Sequence, residues 1–292
     1  MIRDITLGQY YEADSILHKL DPRVKLVFTV LFIVSLYVAK GVVCFAFAAV
    51  FLIFVISLSK VPVRFMVRGM RGILFLLIFS AILNMFMTSG HIIFRWWIFK
   101  FTTEGVLLAL QLIIRLSFLV MGSSLLTLTT TPNELTDGLE KGLGFLKVFH
   151  VPVHEVGMMM SIALRFIPIL IEEVNKIMKA QMARGADFDT GGLIKKAKAM
   201  LPMLIPLFIS AFRRAGDLAL AMEARCYHGG DGRTKLHPLK YDRKDLVAYL
   251  VMAVYLAVMI VLRHYFGNIH LIPGVNLASA WLSASVSFGG RA

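Results

Sequence analysis

From Val24 to Thr130 the chain is nearly continuous apolar sequence, broken only by short polar links. The runs are Val24 to Ala39, Gly41 to Leu58, Gly72 to Met87 and Gly105 to Thr130, with a further run from Leu246 to Phe266. A protein of 292 residues has no interior large enough to take up all of them. At a rise of about 1.5 Å per residue, about 20 residues cross the hydrocarbon of a bilayer. The first and third runs hold only 16 residues each, so they need tilt, snorkelling flanks or local thinning. Composition agrees: 58% of residues are hydrophobic and 17% charged, against about 45–50% and about 25% in soluble domains. The expectation is an all-α membrane protein with about five transmembrane helices. A soluble enzyme, a disordered chain and a disulfide scaffold are excluded.

Charge placement sets the expected topology. Lys and Arg total 31 against 18 Asp and Glu, a formal net charge of +13. In a soluble protein such an excess points to nucleic acid; here it reads as basic cytoplasmic loops, with no nucleic-acid partner. With the amino terminus inside and five spans, 25 basic residues fall inside and five outside, and Arg115 lies within a span. The aromatic link around Phe94, Trp96, Trp97, Phe99 and Phe101 suits an outer interface. No removable signal peptide is expected before Val24. The protein reads as a multi-pass component of the cell membrane.

Between Thr131 and Asp245 the character changes, with 17 basic and 13 acidic residues. Two apolar stretches there, Gly157 to Ile171 and Ala199 to Phe212, are short and interrupted by Pro168, Pro202 and Pro206, which argues against crossing. The expected organisation is a cytoplasmic segment over 1–23, four membrane helices over 24–130 and a helical cytoplasmic domain over 131–245. A fifth membrane helix follows over 246–266, then a tail over 267–292 with no assigned role. Asp21-Pro22 reads as an N-cap and first-turn proline, and Thr131-Pro132-Asn133-Glu134 as a capping box.

The middle domain carries the most informative pattern. Val156, Met160, Ala163, Ile167, Leu170, Val174 and Ile177 recur at steps of four and three; so do Ala197, Leu201, Leu204, Phe208, Ala211, Ala215, Leu218 and Met222. Such seams predict two long amphipathic helices packed against another surface or each other. Continued, the first seam reaches Gln181 and Arg184, the second Arg225. At an offset of 41, Ala180, Ala183 and Arg184 correspond to Ala221, Ala224 and Arg225. An arginine at a helix end complements the dipole; flanked by small residues, it also presents a fork that pairs with carboxylates. The sequence leaves both roles open.

On these residues the chain resembles the transmembrane T component of energy-coupling factor vitamin and metal importers. The likeness rests on Leu17-His18-Lys19-Leu20-Asp21-Pro22-Arg23, on Thr130-Thr131-Pro132 and above all on Ala183-Arg184-Gly185 and Ala224-Arg225-Cys226. Cys226 stands where the family pattern has glycine. The resemblance implies a membrane bundle with a cytoplasmic coupling domain, whose two helix ends dock on two ATP-binding-cassette ATPases. It also implies a small membrane-embedded substrate-binding S component, which selects the vitamin or metal. The docking role then falls to Ala183, Arg184, Gly185, Ala224, Arg225 and Cys226. The implied subunit is non-catalytic and needs no cofactor of its own, ATP and Mg²⁺ being bound by the partner ATPases. No Gly-x4-Gly-Lys-Ser/Thr phosphate loop occurs in the chain, which agrees.

The rival readings are a conventional ABC importer permease, carrying substrate in its own spans, and a polytopic membrane enzyme. The first four spans offer essentially Arg115 alone as an ionisable centre, which counts against the enzyme. Arg115 takes either a structural hydrogen-bonding role, aided by Asn84 or Gln111, or a contact with the S component. Ser15, His18 and Asp14 or Asp21 are triad residue types, but adjacency in sequence does not make catalytic geometry. His150 and His154 flank Pro152 without a third ligand, and Cys44 and Cys226 suggest neither a disulfide nor a metal site. Met158 to Met160 read as core or lipid contact, or as an adaptable surface.

Overall fold

The computed structural model describes residues 10–87, 92–96, 99–186, 192–229 and 239–266. The tail after residue 267, Trp97 and the side chain of Asn84 lie outside the described residues. The chain divides into two compact bodies, one formed by residues 9–131 with 240–292 and the other containing residues 132–239.

The first body is a helix bundle. It holds α1 (Pro22–Val38), α2 (Gly41–Ser59), α3 (Val63–Met87), α4 (Thr103–Thr129) and α8 (Arg243–Phe266). Asp21 starts α1 as its side chain accepts from the Arg23 N–H, with Pro22 at the first helical position. Lys60 ends α2 in the left-handed conformation, φ 55°. The aromatic link between α3 and α4 is a hairpin rather than a plain loop: β1 (Ile92–Trp96) pairs antiparallel with β2 (Phe99–Thr102). Its alternation of aromatic and basic residues fits a pleated ribbon, in which successive side chains face opposite ways.

The core of this body joins α1, α2, α4 and α8 through Phe32, Leu36, Ala48, Leu52, Leu125 and Met259. The Tyr255 ring stacks on Phe51 with centroids 4.0 Å apart, and its hydroxyl meets Ser35 Oγ at 2.9 Å, so the buried phenol is satisfied. At Gly122 a Cβ would lie 2.8 Å from the Phe32 ring, so α4 approaches α1 only because that position has no side chain. Outside the core the pattern inverts. Val50, Phe75, Leu246 and Tyr265 are all exposed apolar side chains, a surface suited to lipid.

The second body holds α5 (Pro132–Gly142), a 3₁₀ segment (Leu143–Phe149), α6 (Val153–Ala183) and α7 (Leu193–Ala224). Glu140 ties α5 to α6: its Oε1 lies 2.9 Å from His154 Nδ1. Gly157 makes room for it, since a Cβ there would meet Glu140 Oε2 at 2.6 Å. Lys141 Nζ donates to the Leu239 carbonyl at 3.1 Å and closes the body on itself.

One expectation needs correcting. The prolines do not interrupt the middle helices, because α6 runs through Pro168 and α7 through Pro202 and Pro206. As one helix of 31 residues, α6 is long and apolar enough to cross a membrane, as are Gly41–Ser59, Gly105–Thr129 and Arg243–Tyr265. Among the described residues a shorter apolar stretch, Gly72–Leu83, lies within α3, and α1 has 17 residues.

Candidate functional site: two matched helix ends

Arg184 and Arg225 occupy the same position in the same motif. Each is the C-cap of its helix, with φ, ψ of −90°, 8° and −94°, 15°. After α6, the Ala186 N–H donates to the Gln181 carbonyl and the Gly185 N–H to Met182, both at 3.0 Å. After α7, the Tyr227 N–H donates to Met222 at 3.0 Å and the Cys226 N–H to Glu223 at 2.8 Å. This pair of crossed bonds is the Schellman motif, which needs a left-handed residue just past the cap. Gly185 supplies it at φ +86° and Cys226 at φ +57°. Cysteine thus adopts the conformation for which glycine is ordinarily required, at a cost that a Cβ always brings there.

Ala183, Arg184, Gly185, Ala224, Arg225 and Cys226 are all exposed. Neither guanidinium pairs with a carboxylate among the described residues. The Schellman bonds satisfy the last carbonyls by backbone N–H groups alone, so both arginine forks stay available.

Contacts between α6 and α7 hold the two ends in register. Arg214 Nη2 donates to Glu173 Oε2 at 3.2 Å. These two residues are themselves 41 apart, so they are equivalent positions of the repeat, each 11 residues before its terminal arginine. Opposite charges at equivalent positions, Glu172-Glu173 against Arg213-Arg214, let two similar helices meet at matching points. Farther along, Gln181 Nε2 donates to the Pro202 carbonyl at 3.4 Å. That carbonyl would otherwise receive the N–H of residue 206, and Pro206 has none, so Gln181 reaches across to an acceptor the proline has released. Contacts rise along α6 as they fall along α7, so the helices run in opposite senses. Eleven residues of helix span about 16 Å, which puts the two arginines on opposite sides of the Glu173–Arg214 contact.

The seam expected on α7 is only half right. Its less exposed stripe is Met203, Leu207, Ala211, Arg214 and Leu218, whereas Leu201, Leu204 and Phe208 are exposed. With Ile205, Ile209 and Phe212 they form an apolar stripe, on which Phe208 and Phe212 lie 5.2 Å apart. Exposure in the folded chain is the only signal that separates the two stripes, since both repeat at helical spacing.

Other singled-out residues find structural partners. Arg115 Nη2 donates to the Ala39 carbonyl at the end of α1, at 3.4 Å, and its guanidinium lies 5.5 Å from the Phe45 ring centroid. Ser15 Oγ lies 2.6 Å from His18 Nδ1, but His18 Nε2 faces the Tyr11 carbonyl at 2.9 Å rather than a carboxylate. Asp21 caps α1 instead of orienting that imidazole. His154 is engaged by Glu140. Asp245, which the sequence alone does not single out, is buried and joins the starts of α1 and α8. Its spacing of three from Asp242, a capping box, was the available signal.

Comparison with known proteins finds relatives that match over most of the chain. The family model described as cobalt transport protein, CbiQ, matches residues 13–236. A Clostridium kluyveri protein named energy-coupling factor transporter transmembrane protein EcfT is 49% identical, the match covering 92% of this chain and 100% of the relative. Proteins of the same name from Ruminiclostridium cellulolyticum and Bacillus subtilis are 46% and 44% identical, over 91% and 90% of this chain and 100% of each relative.

Proposed function

The chain belongs to the family of energy-coupling factor transporter transmembrane proteins, and on that premise we propose how its two matched helix ends work. The chain is the transmembrane coupling subunit of an ATP-driven importer. It is non-catalytic: ATP and Mg²⁺ are bound by two ATP-binding-cassette subunits, one docking on the end of α6 and one on the end of α7. Arg184 and Arg225 each enter a groove on one ATPase and pair there with carboxylates. Ala183 and Ala224 keep the approach close, and Gly185 and Cys226 turn the chain away behind each arginine.

The observation that carries this reading is the identity of the two ends. Both arginines cap Schellman motifs and both are exposed, and both lie 11 residues beyond the same inter-helix contact. Two like ends facing opposite ways suit two like partners. Nucleotide-driven closure of the ATPases moves the ends together, and α6 and α7 carry that motion to a small membrane-embedded S component. Its substrate is a vitamin or metal ion chosen by the S component. The exposed apolar stripe of α7 offers such a component a surface. The basic loops support an amino terminus and an end of α2 on the cytoplasmic side.

The test is co-purification of the full chain with its ATPases and S component. Wild type should bring down both ATPases, and Arg184→Glu with Arg225→Glu should bring down neither while still inserting in the membrane. Retention of both ATPases and of uptake by the double variant would reduce the arginines to helix caps.

A further inference from the structure

We propose that the cavity at the end of the helix bundle where α1 and α8 begin holds one acyl chain of an anionic glycerophospholipid, with the headgroup phosphate on Lys244. The cavity has a volume of about 290 Å³ and is lined by Leu17, Val24, Phe28, Val55, Leu125 and Ala248, among others. Apolar cavities of about 150 Å³ stay dry and take up benzene, so this one has room for a stretch of hydrocarbon.

Its polar groups point to the same occupant. Only Lys25, Thr29, Thr129 and Lys244 interrupt the apolar lining. The Thr29 hydroxyl donates to the Lys25 carbonyl and the Thr129 hydroxyl to the Leu125 carbonyl, each at 2.8 Å. Lys25 Nζ donates to the carbonyls of His18 at 3.1 Å and Thr129 at 2.9 Å. Three of the four are therefore engaged within the chain, and the interior is an apolar slot rather than a water site. Lys244 differs, being exposed at the rim.

The slot opens sideways. Phe54 of α2 and Val247 of α8, both in its lining, are 54% and 56% exposed. Both belong to helices long and apolar enough to cross a membrane, so the opening faces acyl chains. The rim is positive. Lys60 ends α2, Lys240 precedes α8, and Arg243 and Lys244 lie in its first turn, all four exposed and at this end of the bundle. Three carboxylates nearby are occupied: Asp245 accepts from the Asp21 and Asp242 N–H groups, Asp242 from Arg243, and Asp14 pairs with Lys19 at 2.9 Å. A basic cluster beside a span attracts anionic lipid, each cation contributing about fivefold in affinity. This proposal does not rest on the docking role of the arginines.

Native mass spectrometry of the full chain, purified from nanodiscs of equal phosphatidylglycerol and phosphatidylcholine, tests it. Wild type should retain phosphatidylglycerol over phosphatidylcholine by at least fivefold. Lys244→Glu, a rim substitution that leaves the core intact, should remove the preference. Ala248→Phe, which fills the slot, should reduce retention of both lipids about tenfold. Val247→Trp guards against misfolding of that variant: its indole at the mouth should be quenched by brominated phosphatidylglycerol, about fivefold less when Lys244→Glu is added. Equal retention of the two lipids by wild type, or quenching indifferent to Lys244, would overturn the proposal.

Discussion

The backbone N–H of Asp21 donates to Asp245 Oδ1 at 2.9 Å, joining residues 224 apart in sequence. The other oxygen of the same carboxylate accepts the Asp242 N–H at 2.8 Å. One buried side chain thus satisfies the N-cap N–H groups of both α1 and α8, and pins together the starts of two helices from opposite ends of the chain. Leaving a buried donor without a partner costs about 1–3 kcal/mol. Asp245→Ala strands the buried Asp21 N–H and removes the part-buried Asp242 bond, so its thermal midpoint in detergent should fall well below wild type. Asp245→Asn, which keeps one acceptor oxygen, should lie between. A midpoint for Asp245→Ala equal to wild type would mean that neither bond stabilises the bundle.

The arginines should behave as binding residues rather than as caps. Removing one partner of a buried, hydrogen-bonded charge pair costs about 2–5 kcal/mol. That is roughly thirtyfold to several-thousandfold in affinity at each ATPase. With both ends docking as proposed, Arg184→Ala alone should leave the complex assembled but poorly coupled. Lysine at either position should rescue only in part, since an ammonium lacks the planar fork. Titration of purified ATPase onto the chain, with uptake measured in parallel, distinguishes these outcomes.

The two helix ends should respond oppositely to glycine chemistry. Gly185→Ala places a Cβ at φ +86° and should destabilise the end of α6 by about 1 kcal/mol. Cys226→Gly removes one at φ +57° and should be neutral or stabilising by up to about 1 kcal/mol. Hydrogen exchange at Ala186 and Tyr227 reads each end separately. Slower exchange in Gly185→Ala would contradict the assignment.

Glu173 and Arg214 should set register more than stability. Their side chains are 23% and 38% exposed, so the pair is worth about 0.5–1 kcal/mol. A double-mutant cycle with Glu173→Gln and Arg214→Gln should return a coupling energy in that range. Exchanging the charges, Glu173→Arg with Arg214→Glu, should restore uptake that either single reversal lowers. If the exchanged pair is no better than the single reversals, the contact has no positioning role.

Gly122 should tolerate no side chain without repacking. Its Cβ would lie 2.8 Å from the Phe32 ring, and overpacking of this kind costs about 1–3 kcal/mol. Gly122→Ala should lower the thermal midpoint, and Phe32→Leu added to it should recover part of the loss. An unchanged midpoint for Gly122→Ala would show that α1 and α4 part easily.

Lys40 and Lys60 are exposed links at opposite ends of α2. In a chain with Cys44 and Cys226 replaced, Lys40→Cys should react with an impermeant maleimide from outside, and Lys60→Cys only after permeabilisation. The reverse pattern would invert the topology.

Sequence alone determined the class of this protein and the residues at its matched ends. Apolar excess and helical period are local properties, written in each run wherever it ends up packing. The offset of 41 that pairs Arg184 with Arg225 is likewise arithmetic on the chain. Tertiary structure decided which faces meet. Met203 and Phe208 both fit a helical stripe, but only Met203 is buried. Pro206 read as an interruption, yet α7 runs on through it, with Gln181 of α6 donating to the carbonyl it releases. Asp245 read as the last residue of a polar domain until its carboxylate was seen against Asp21. Each of these depends on a hydrogen-bond partner or a packing surface supplied from far along the chain, and such a partner leaves no mark on the residues beside it.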